Sequence, residues 1–198
     1  MKRLIFLGLS ITLAILGVAW LTQPTAQAAT TKVGCQPQSF TVRTGQTFYV
    51  TLAVTDTLDL YAYQFDTAFN KQVLEFVTVL PGSYLRSDGA QHYLAQPSLV
   101  DIGSTTREAR YAADTRLSQA VGVNGSGALA HVLFRALKQK TDGTTVDLKN
   151  IILVDRNALE IDKDYIGSAD CKVTIRDDAP LFVQAPVGEL IFLPAIVR

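Results

Sequence analysis

The stretch LDLYAYQFDTAFNKQVLEFVTVLPG, residues 58–82, indicates the fold of this 198-residue chain most clearly. Between residues 61 and 69 its side chains alternate between a bulky set and a small or polar set. The bulky set is Tyr61, Tyr63, Phe65, Thr67 and Phe69, and the other set is Ala62, Gln64, Asp66 and Ala68. A period of two predicts a half-buried β-strand whose aromatic face lines a core and whose other face points outward. A turn at 70–72 and a second strand at 73–79, stopped by Pro81-Gly82, complete the stretch.

The rest of the chain repeats this pattern of short strands and turns. Further strands are predicted at 38–42, 47–54, 93–95, 107–113, 128–138, 144–154 and 172–175. In the strand at 107–113, alternation places Ala109 and Tyr111 inward and Glu108 and Arg110 outward. Turn signals recur about every dozen residues, and there is no amphipathic helical period. We therefore predict an all-β, two-sheet β-sandwich with jelly-roll topology and about nine strands.

Two polar clusters bear on turns and on metal binding. The Asn124-Gly125 pair predicts a tight turn between strands. Asp155, Asn157, Asp162 and Asp164 offer oxygen atoms of the kind that bind calcium, but a calcium loop needs a central Gly and a terminal Glu at fixed spacing. Because Asp and Asn also favour turns through their own side-chain hydrogen bonds, a hairpin turn is the preferred interpretation. No metal site is predicted.

The N-terminus has the features of an export signal. Lys2 and Arg3 precede an apolar run from residue 4 to residue 21, and Ala26-Gln27-Ala28 fits a cleavage site. We assign residues 1–28 to a signal peptide and expect the rest of the chain to be secreted or displayed at the cell surface. The length of the apolar run leaves an uncleaved membrane anchor as the alternative.

Residues 33–176 are predicted to form the folded domain, and residues 177–198 a tail punctuated by Pro180, Pro186 and Pro194. The tail ends in the apolar sequence ELIFLPAIVR, which is too short to span a bilayer. We expect an extended segment there, and the alternative is a signal for surface attachment or export.

Charge and cysteine content narrow the class further. Without residues 1–28, 16 Lys and Arg oppose 18 Asp and Glu, a net charge of −2. There is no basic patch, so nucleic acid and anionic membrane surfaces are poor partners. The even pair Cys35 and Cys171 in an exported chain suggests one disulfide between the first and last strand regions. Two unpaired thiols are the alternative.

The sequence offers no catalytic constellation. His92 and His131 lie 39 positions apart, without an HExxH motif or a cysteine pair nearby. A GxSxG nucleophile motif is absent, and no two carboxylates show a sign of converging as glycoside hydrolysis requires. A non-enzymatic protein is therefore predicted.

Taken in order, four segments resemble the recurring segments of cohesin domains. They are TVRTGQTFYVTLAV, DLYAYQFDTAFNKQVLEFVTVLPGSYL, GVNGSGALAHVLFRAL and TTVDLKNIILVDRNALEI. Within them, FNKQVLE at 69–75 fits the pattern aromatic, Asp or Asn, two variable positions, Val-Leu-Glu. Residues 125–134 fit Gly-x-Gly-x-Leu-Ala-x-hydrophobic-x-Phe. The resemblance spans residues 33–175.

The resemblance implies a nine-stranded jelly roll related to carbohydrate-binding modules, and a non-catalytic protein. Cohesins bind dockerins, which are small modules with paired calcium loops on partner proteins that are often glycoside hydrolases. A link to polysaccharide degradation is therefore expected. This chain needs no cofactor in that scheme, and calcium is expected mainly on the partner.

The resemblance also implies a binding face on the sheet that contains the strand at 61–69. The expected partner-binding residues are Ala62, Gln64 and Asp66, with Glu108, Arg110 and His92 as lesser candidates. Family members often carry Asn and Asp at the first two positions, where this chain has Ala and Gln. A plain solvated sheet face is the alternative for this row. Direct carbohydrate binding through exposed coplanar tyrosines, or a structural role at the cell surface, are the alternative functions.

Overall fold

The computed structural model describes residues 30–118, 121–166 and 169–180. Across these residues the chain forms eleven β-strands and one short 3-10 helix, Tyr84–Arg86. The strands are β1 (Thr31–Gln36), β2 (Ser39–Val42), β3 (Thr47–Asn70), β4 (Leu74–Pro81), β5 (His92–Ala95), β6 (Ser98–Ile102), β7 (Thr106–Arg116), β8 (Val123–Ala136), β9 (Lys140–Asp155), β10 (Lys163–Tyr165) and β11 (Cys171–Ile175). The predicted signal segment and the tail from residue 181 onward lie outside the described residues. None of the described residues belongs to a helix long and apolar enough to cross a membrane.

β3 is one continuous strand of 24 residues, where the sequence predicts two strands joined by a connection. Asp56 and Asp59 each adopt φ +56°, a left-handed conformation that Asp tolerates better than most residues. The pairing of β3 with β8 shifts register twice between Val54 and Leu60. Such irregularities bend a strand without ending it. The two predicted strands are therefore halves of one bent strand.

The two halves of β3 belong to different sheets. Residues 47–57 pair with β1 and β8, and residues 62–70 pair with β7 and β9. The first sheet runs β4-β8-β3-β1-β10. The second sheet runs β5-β7-β3-β9-β11-β2, with β6 also paired to β7. β3 thus holds the whole topology together.

The core lies between these two sheets. The Phe69 ring of the second sheet packs against Phe134 of the first, with centroids 5.1 Å apart. The Tyr63 hydroxyl donates a hydrogen bond of 2.6 Å to the Leu129 carbonyl oxygen across the same gap. Buried side chains of both sheets form one hydrophobic cluster. The predicted all-β sandwich is confirmed.

The bulky set of the strand at 61–69 is predicted to face the core, and this is confirmed at four of its five positions. Tyr63, Phe65, Thr67 and Phe69 are buried, whereas Tyr61 stays partly exposed. β3 shifts its register against β9 between Leu60 and Ala62. This irregularity falls at Tyr61, so the alternation that holds for the rest of the row is disturbed there.

The described strands number eleven instead of about nine because β1, β6 and β10 were not predicted, while two of the predicted strands are the halves of β3. β6 has four exposed residues out of five, so its side chains show no buried alternation to detect. β10 has three residues. The prediction of a tight turn at Asn124-Gly125 is wrong, since both residues lie within β8. There Gly125 has φ +115° and pairs with Thr57, which makes the pair part of an irregularity in the strand.

The predicted disulfide is present. Cys35 of β1 and Cys171 of β11 are bonded, with Cα atoms 5.6 Å apart, and both are fully buried. β1 belongs to the first sheet and β11 to the second, so the bond ties the two layers together near the ends of the domain. The bond joins the first and last strand regions, as the sequence predicts.

Candidate functional site

The outward-facing side of the second sheet gathers most of the predicted binding residues. Paired residues on neighbouring strands share a face, and the register of β5, β7, β3 and β9 therefore defines two rows across the sheet. The rows are Tyr93–Thr115–Ala62–Val154 and Ala95–Ala113–Gln64–Ile152. We call these eight residues the outer face. Most of them are small or apolar, and none carries a formal charge.

A shallow apolar hollow of about 380 Å³ lies on the outer face. Three alanines, Ala62, Ala95 and Ala113, leave the space because each contributes only a methyl group. Tyr93 and Ile152 stand at its edge and are 63% and 38% exposed. Small residues in the centre with exposed apolar residues around them form a surface that a partner group can enter.

Next to the outer face, Asp66 is 3% exposed and joins the two strands that flank β3. Its Oδ1 accepts a hydrogen bond of 2.7 Å from the Tyr111 backbone N–H of β7. Its Oδ2 accepts one of 2.8 Å from Asn150 Nδ2 of β9. Both neighbouring strands bulge at this point. One residue of β3 lies opposite two residues of β7, between Ala109 and Ala112, and one lies opposite two residues of β9, between Lys149 and Ile152.

Because of the bulge in β7, the prediction that Tyr111 faces inward is wrong. Tyr111 is 60% exposed instead of facing inward, and its backbone has φ +65°. The extra residue shifts the alternation by one position, so that Ala109 stays buried as predicted while Tyr111 turns outward. Glu108 is on the outward side of the sheet as predicted, but it is 6% exposed and therefore buried among its neighbours.

Glu108 is the centre of a compact ion-pair network beside the outer face. Its Oε1 accepts a hydrogen bond from Lys149 Nζ of β9, and its Oε2 accepts one of 2.6 Å from Arg110 Nε. These two hydrogen bonds hold the pKa of Glu108 below its usual value, and the bond from Lys149 has the larger effect. Glu108, Arg110 and Lys149 carry one net positive charge, which the nearby Asp66 carboxylate balances. The four groups together therefore offer no surplus charge to a partner.

His92 is the one predicted site residue that lines neither the apolar hollow nor a second hollow beside it. It precedes Tyr93 in β5 and therefore points to the other side of the strand. Its Nδ1 lies 2.9 Å from Oδ1 of Asp114, a buried carboxyl whose pKa is raised, chiefly by desolvation. The other five, Ala62, Gln64, Asp66, Glu108 and Arg110, line the apolar hollow or the second hollow, which shares Gln64 and Ile152 with it. We call the second one the charged hollow, because Asp66, Glu108, Arg110 and Lys149 line it.

Sequence reasoning missed the contributions of Ala113, Lys149 and Ile152. Only the pairing of β9 with β3 brings Ile152 and Lys149 beside Gln64 and Asp66. Alternation within β9 was visible in the sequence and could have pointed to Ile152.

Among residues 30–118, 121–166 and 169–180, no three His, Cys, Asp or Glu side chains are grouped to hold a metal ion. Of the polar cluster, Asp155 and Asn157 form the predicted hairpin turn at the end of β9. Oδ1 of Asp155 accepts hydrogen bonds of 2.8 Å and 2.9 Å from the backbone N–H groups of Asn157 and Leu159. These bonds use the Asp155 carboxylate to close the turn.

Residues 33–175 match the family model of the cohesin domain. The chain belongs to the cohesin family. No curated protein matches this cohesin.

Solved structures similar to this cohesin share its fold at low sequence identity. A non-cellulosomal cohesin from the archaeon Archaeoglobus fulgidus is 15% identical, with a TM-score of 0.52 over 75% of this chain and 92% of that chain. A chain of a type I cohesin–dockerin complex of OlpA from Clostridium thermocellum is 10% identical, with a TM-score of 0.56 over 75% and 100%. The seventh ScaB type I cohesin from Pseudobacteroides cellulosolvens is 11% identical, with a TM-score of 0.53 over 78% and 97%.

Proposed function

We propose that this cohesin is a non-catalytic binding module that attaches a dockerin-type partner protein through the outer face. The observation that carries the proposal is the uncharged, small-residue surface that crosses four strands beside the bulged region. Similar structures include cohesins solved in complexes with dockerins, which supports a partner of that type.

The chemistry of the outer face suits a protein partner. The alanine floor lets a partner approach the sheet closely, and the hollow beside Tyr93 and Ile152 can bury an apolar side chain. Tyrosine is enriched among the residues that dominate binding energy, and charged residues are depleted at the centres of interfaces. The ion pairs of Glu108 and the nearby Asp66 carboxylate leave no net charge beside the face, so a partner gains more from apolar burial than from a formal charge.

The same pairing argues for binding over catalysis. The lowered pKa of Glu108 keeps its carboxylate ionised and committed to Lys149 and Arg110. A general acid needs a pKa near the working pH, which this environment opposes. Asp66 has both carboxylate oxygens engaged by its neighbours.

We also propose that this cohesin is exported from the cytosol and has a role in polysaccharide degradation. A disulfide that joins the two sheets suits an oxidising compartment outside the cytosol. The segment 1–28 would direct secretion or surface display, with the tail from residue 177 as a linker or attachment element. Dockerin-bearing glycoside hydrolases would then be held on this module, with calcium on the partner's side.

Ala62→Arg tests the outer face. The variant places a long cationic side chain in the apolar hollow, and we expect dockerin affinity to fall by at least roughly tenfold because the hollow is blocked. The Arg side chain can reach solvent from this half-buried position, so the free energy of unfolding should change by less than about 1 kcal/mol. Binding is measured by calorimetry with calcium-loaded dockerin modules encoded in the same genome.

The matched control is Val77→Arg, which introduces the same side chain at an exposed position of β4 in the first sheet. It should bind dockerin as the wild type does. Equal affinity of Ala62→Arg and the wild type would place the partner elsewhere. Loss of binding in both variants would point to a general electrostatic effect. If the wild type binds none of these dockerins, the proposed function is refuted.

Exposed tyrosines favour direct glycan binding as a second candidate function. Tyr93 lies at the apolar hollow, and Tyr111 and Tyr165 line the adjoining charged hollow. Their side chains are 63%, 60% and 50% exposed, and aromatic rings can pack against the apolar faces of sugars. Retention of the wild type on insoluble polysaccharide, together with failure to bind any dockerin, would favour this candidate over the first.

A further inference from the structure

Tyr111 combines a strained backbone with an exposed side chain. Its φ of +65° lies in the left-handed region, which bulky residues rarely occupy. A residue held there costs stability, and such residues persist where the surrounding structure fixes them. The ring is 60% exposed and lies outside the buried core, so burial does not offset the cost of its backbone conformation.

Asp66 is what holds Tyr111 in this conformation. The carboxylate accepts the Tyr111 N–H at 2.7 Å, and on the other side it binds the side chain of Asn150, which itself has φ +51°. One buried carboxylate therefore stabilises a bulge on each neighbouring strand. The consequence for Tyr111 is a ring directed away from the core.

Tyr111 lines the charged hollow, which shares two lining residues with the apolar hollow. These two residues are Gln64 and Ile152 of the outer face. Glycine would fit the left-handed backbone without strain. A tyrosine at this position therefore adds an exposed aromatic surface at the cost of strain, and it adds it beside the alanine floor.

We propose that Tyr111 is the aromatic anchor of the partner-binding surface, and that the double bulge around Asp66 presents it. This inference rests on the proposed function and names the residue that carries much of its binding energy. The anchor takes an apolar side chain of the partner, which packs on the rigid ring while the neighbouring hollow receives the flanking groups. Tyrosine supplies such contact area with little loss of side-chain entropy.

Tyr111→Gly separates this role from a role in folding. Glycine relieves the left-handed strain and removes the ring, so the thermal midpoint should stay equal to that of the wild type or rise. Affinity for the same calcium-loaded dockerins should fall by at least roughly tenfold. Tyr111→Phe keeps the ring and should stay within about threefold of the wild-type affinity, since the expected contact is with the aromatic face.

Ala158→Gly is the matched control for strain relief. Ala158 is exposed in the turn after β9 and has φ +61°, so the change relieves similar strain away from the outer face. It should raise or preserve the thermal midpoint and leave dockerin affinity unchanged.

The outcomes separate the inference from the proposed function. Wild-type affinity in Tyr111→Gly would overturn the anchor and leave the proposed function standing. A lower thermal midpoint in Tyr111→Gly would also overturn the anchor, because the tyrosine would then serve the fold. Failure of the wild type to bind any dockerin would refute both.

Discussion

Replacing Cys35 and Cys171 together by serine is expected to lower the free energy of unfolding by about 4–5 kcal/mol. The bond spans 136 positions of sequence and joins the two sheets. Without it the unfolded chain gains the conformational freedom of a long open loop, which stabilises the unfolded state. The thermal midpoint should fall by roughly 10–15 °C for a domain of this size.

Chemical denaturation followed by far-UV circular dichroism measures the loss. Wild-type protein under strong reductant is the control and should approach the stability of the double variant. Reduction should be slow below the unfolding transition, because both sulfur-bearing residues are fully buried. A loss of less than about 1 kcal/mol in the double variant would show that the bond does not stabilise the sandwich in the manner described.

Asp66→Ala is expected to lower the free energy of unfolding by about 3 kcal/mol. The change removes a charged acceptor from the Tyr111 N–H and from the Asn150 side chain, and hydrogen bonds to charged groups contribute more than neutral ones. Both bulges then lose the group that holds them. Denaturant unfolding at neutral pH measures the effect.

Asp66→Asn is the matched control. The amide oxygen can still accept the Tyr111 N–H, so this variant should lose about half as much stability as Asp66→Ala. If Asp66→Ala keeps wild-type stability but loses the partner, Asp66 contacts the partner directly, as its outward position in the sequence suggested. Equal loss of stability in both variants would instead point to the negative charge as the stabilising feature.

The strand from Tyr63 to Phe69 could be predicted because one of its faces is buried. The sequence of such a strand alternates between buried and outward-facing residues with a period of two. The direction of Ala62, Gln64 and Asp66 followed from the same period. The burial of Asp66 could not be predicted, because it depends on bulges in two strands that are distant in sequence. The pairing of Cys35 with Cys171 was accessible because only two cysteines are present.

Tyr111 shows where alternation fails. One extra residue in β7 reverses which residues of the strand face inward and which face outward. The sequence REARYAA contains no glycine or proline that would indicate this bulge. β6 was missed for a different reason, since most of its side chains are exposed and lack the pattern that burial imposes. The site residues contributed by β5 and β9 depend on strand pairing, which local sequence does not specify.

The structure shows where the two residues that depart from the family pattern, Ala62 and Gln64, lie. Where the resemblance leads one to expect Asn and Asp, Ala62 and Gln64 lie in the two rows of the outer face, and Ala62 forms part of the alanine floor. The replacement of a polar position by a methyl group opens the apolar hollow. A partner matched to this cohesin is therefore expected to be more apolar at its centre than one matched to a polar face.

Methyl NMR of the chain titrated with a calcium-loaded dockerin from the same genome tests directly whether the outer face binds the partner. The reporting methyl groups on the outer face are those of Ala62, Ala95, Ala113 and Ile152, and those of the first sheet are Ala53 and Ala128. We predict large shift changes in the first group and little change in the second. Changes confined to the first sheet, or no change at saturating dockerin, would contradict the assignment of the outer face as the binding surface.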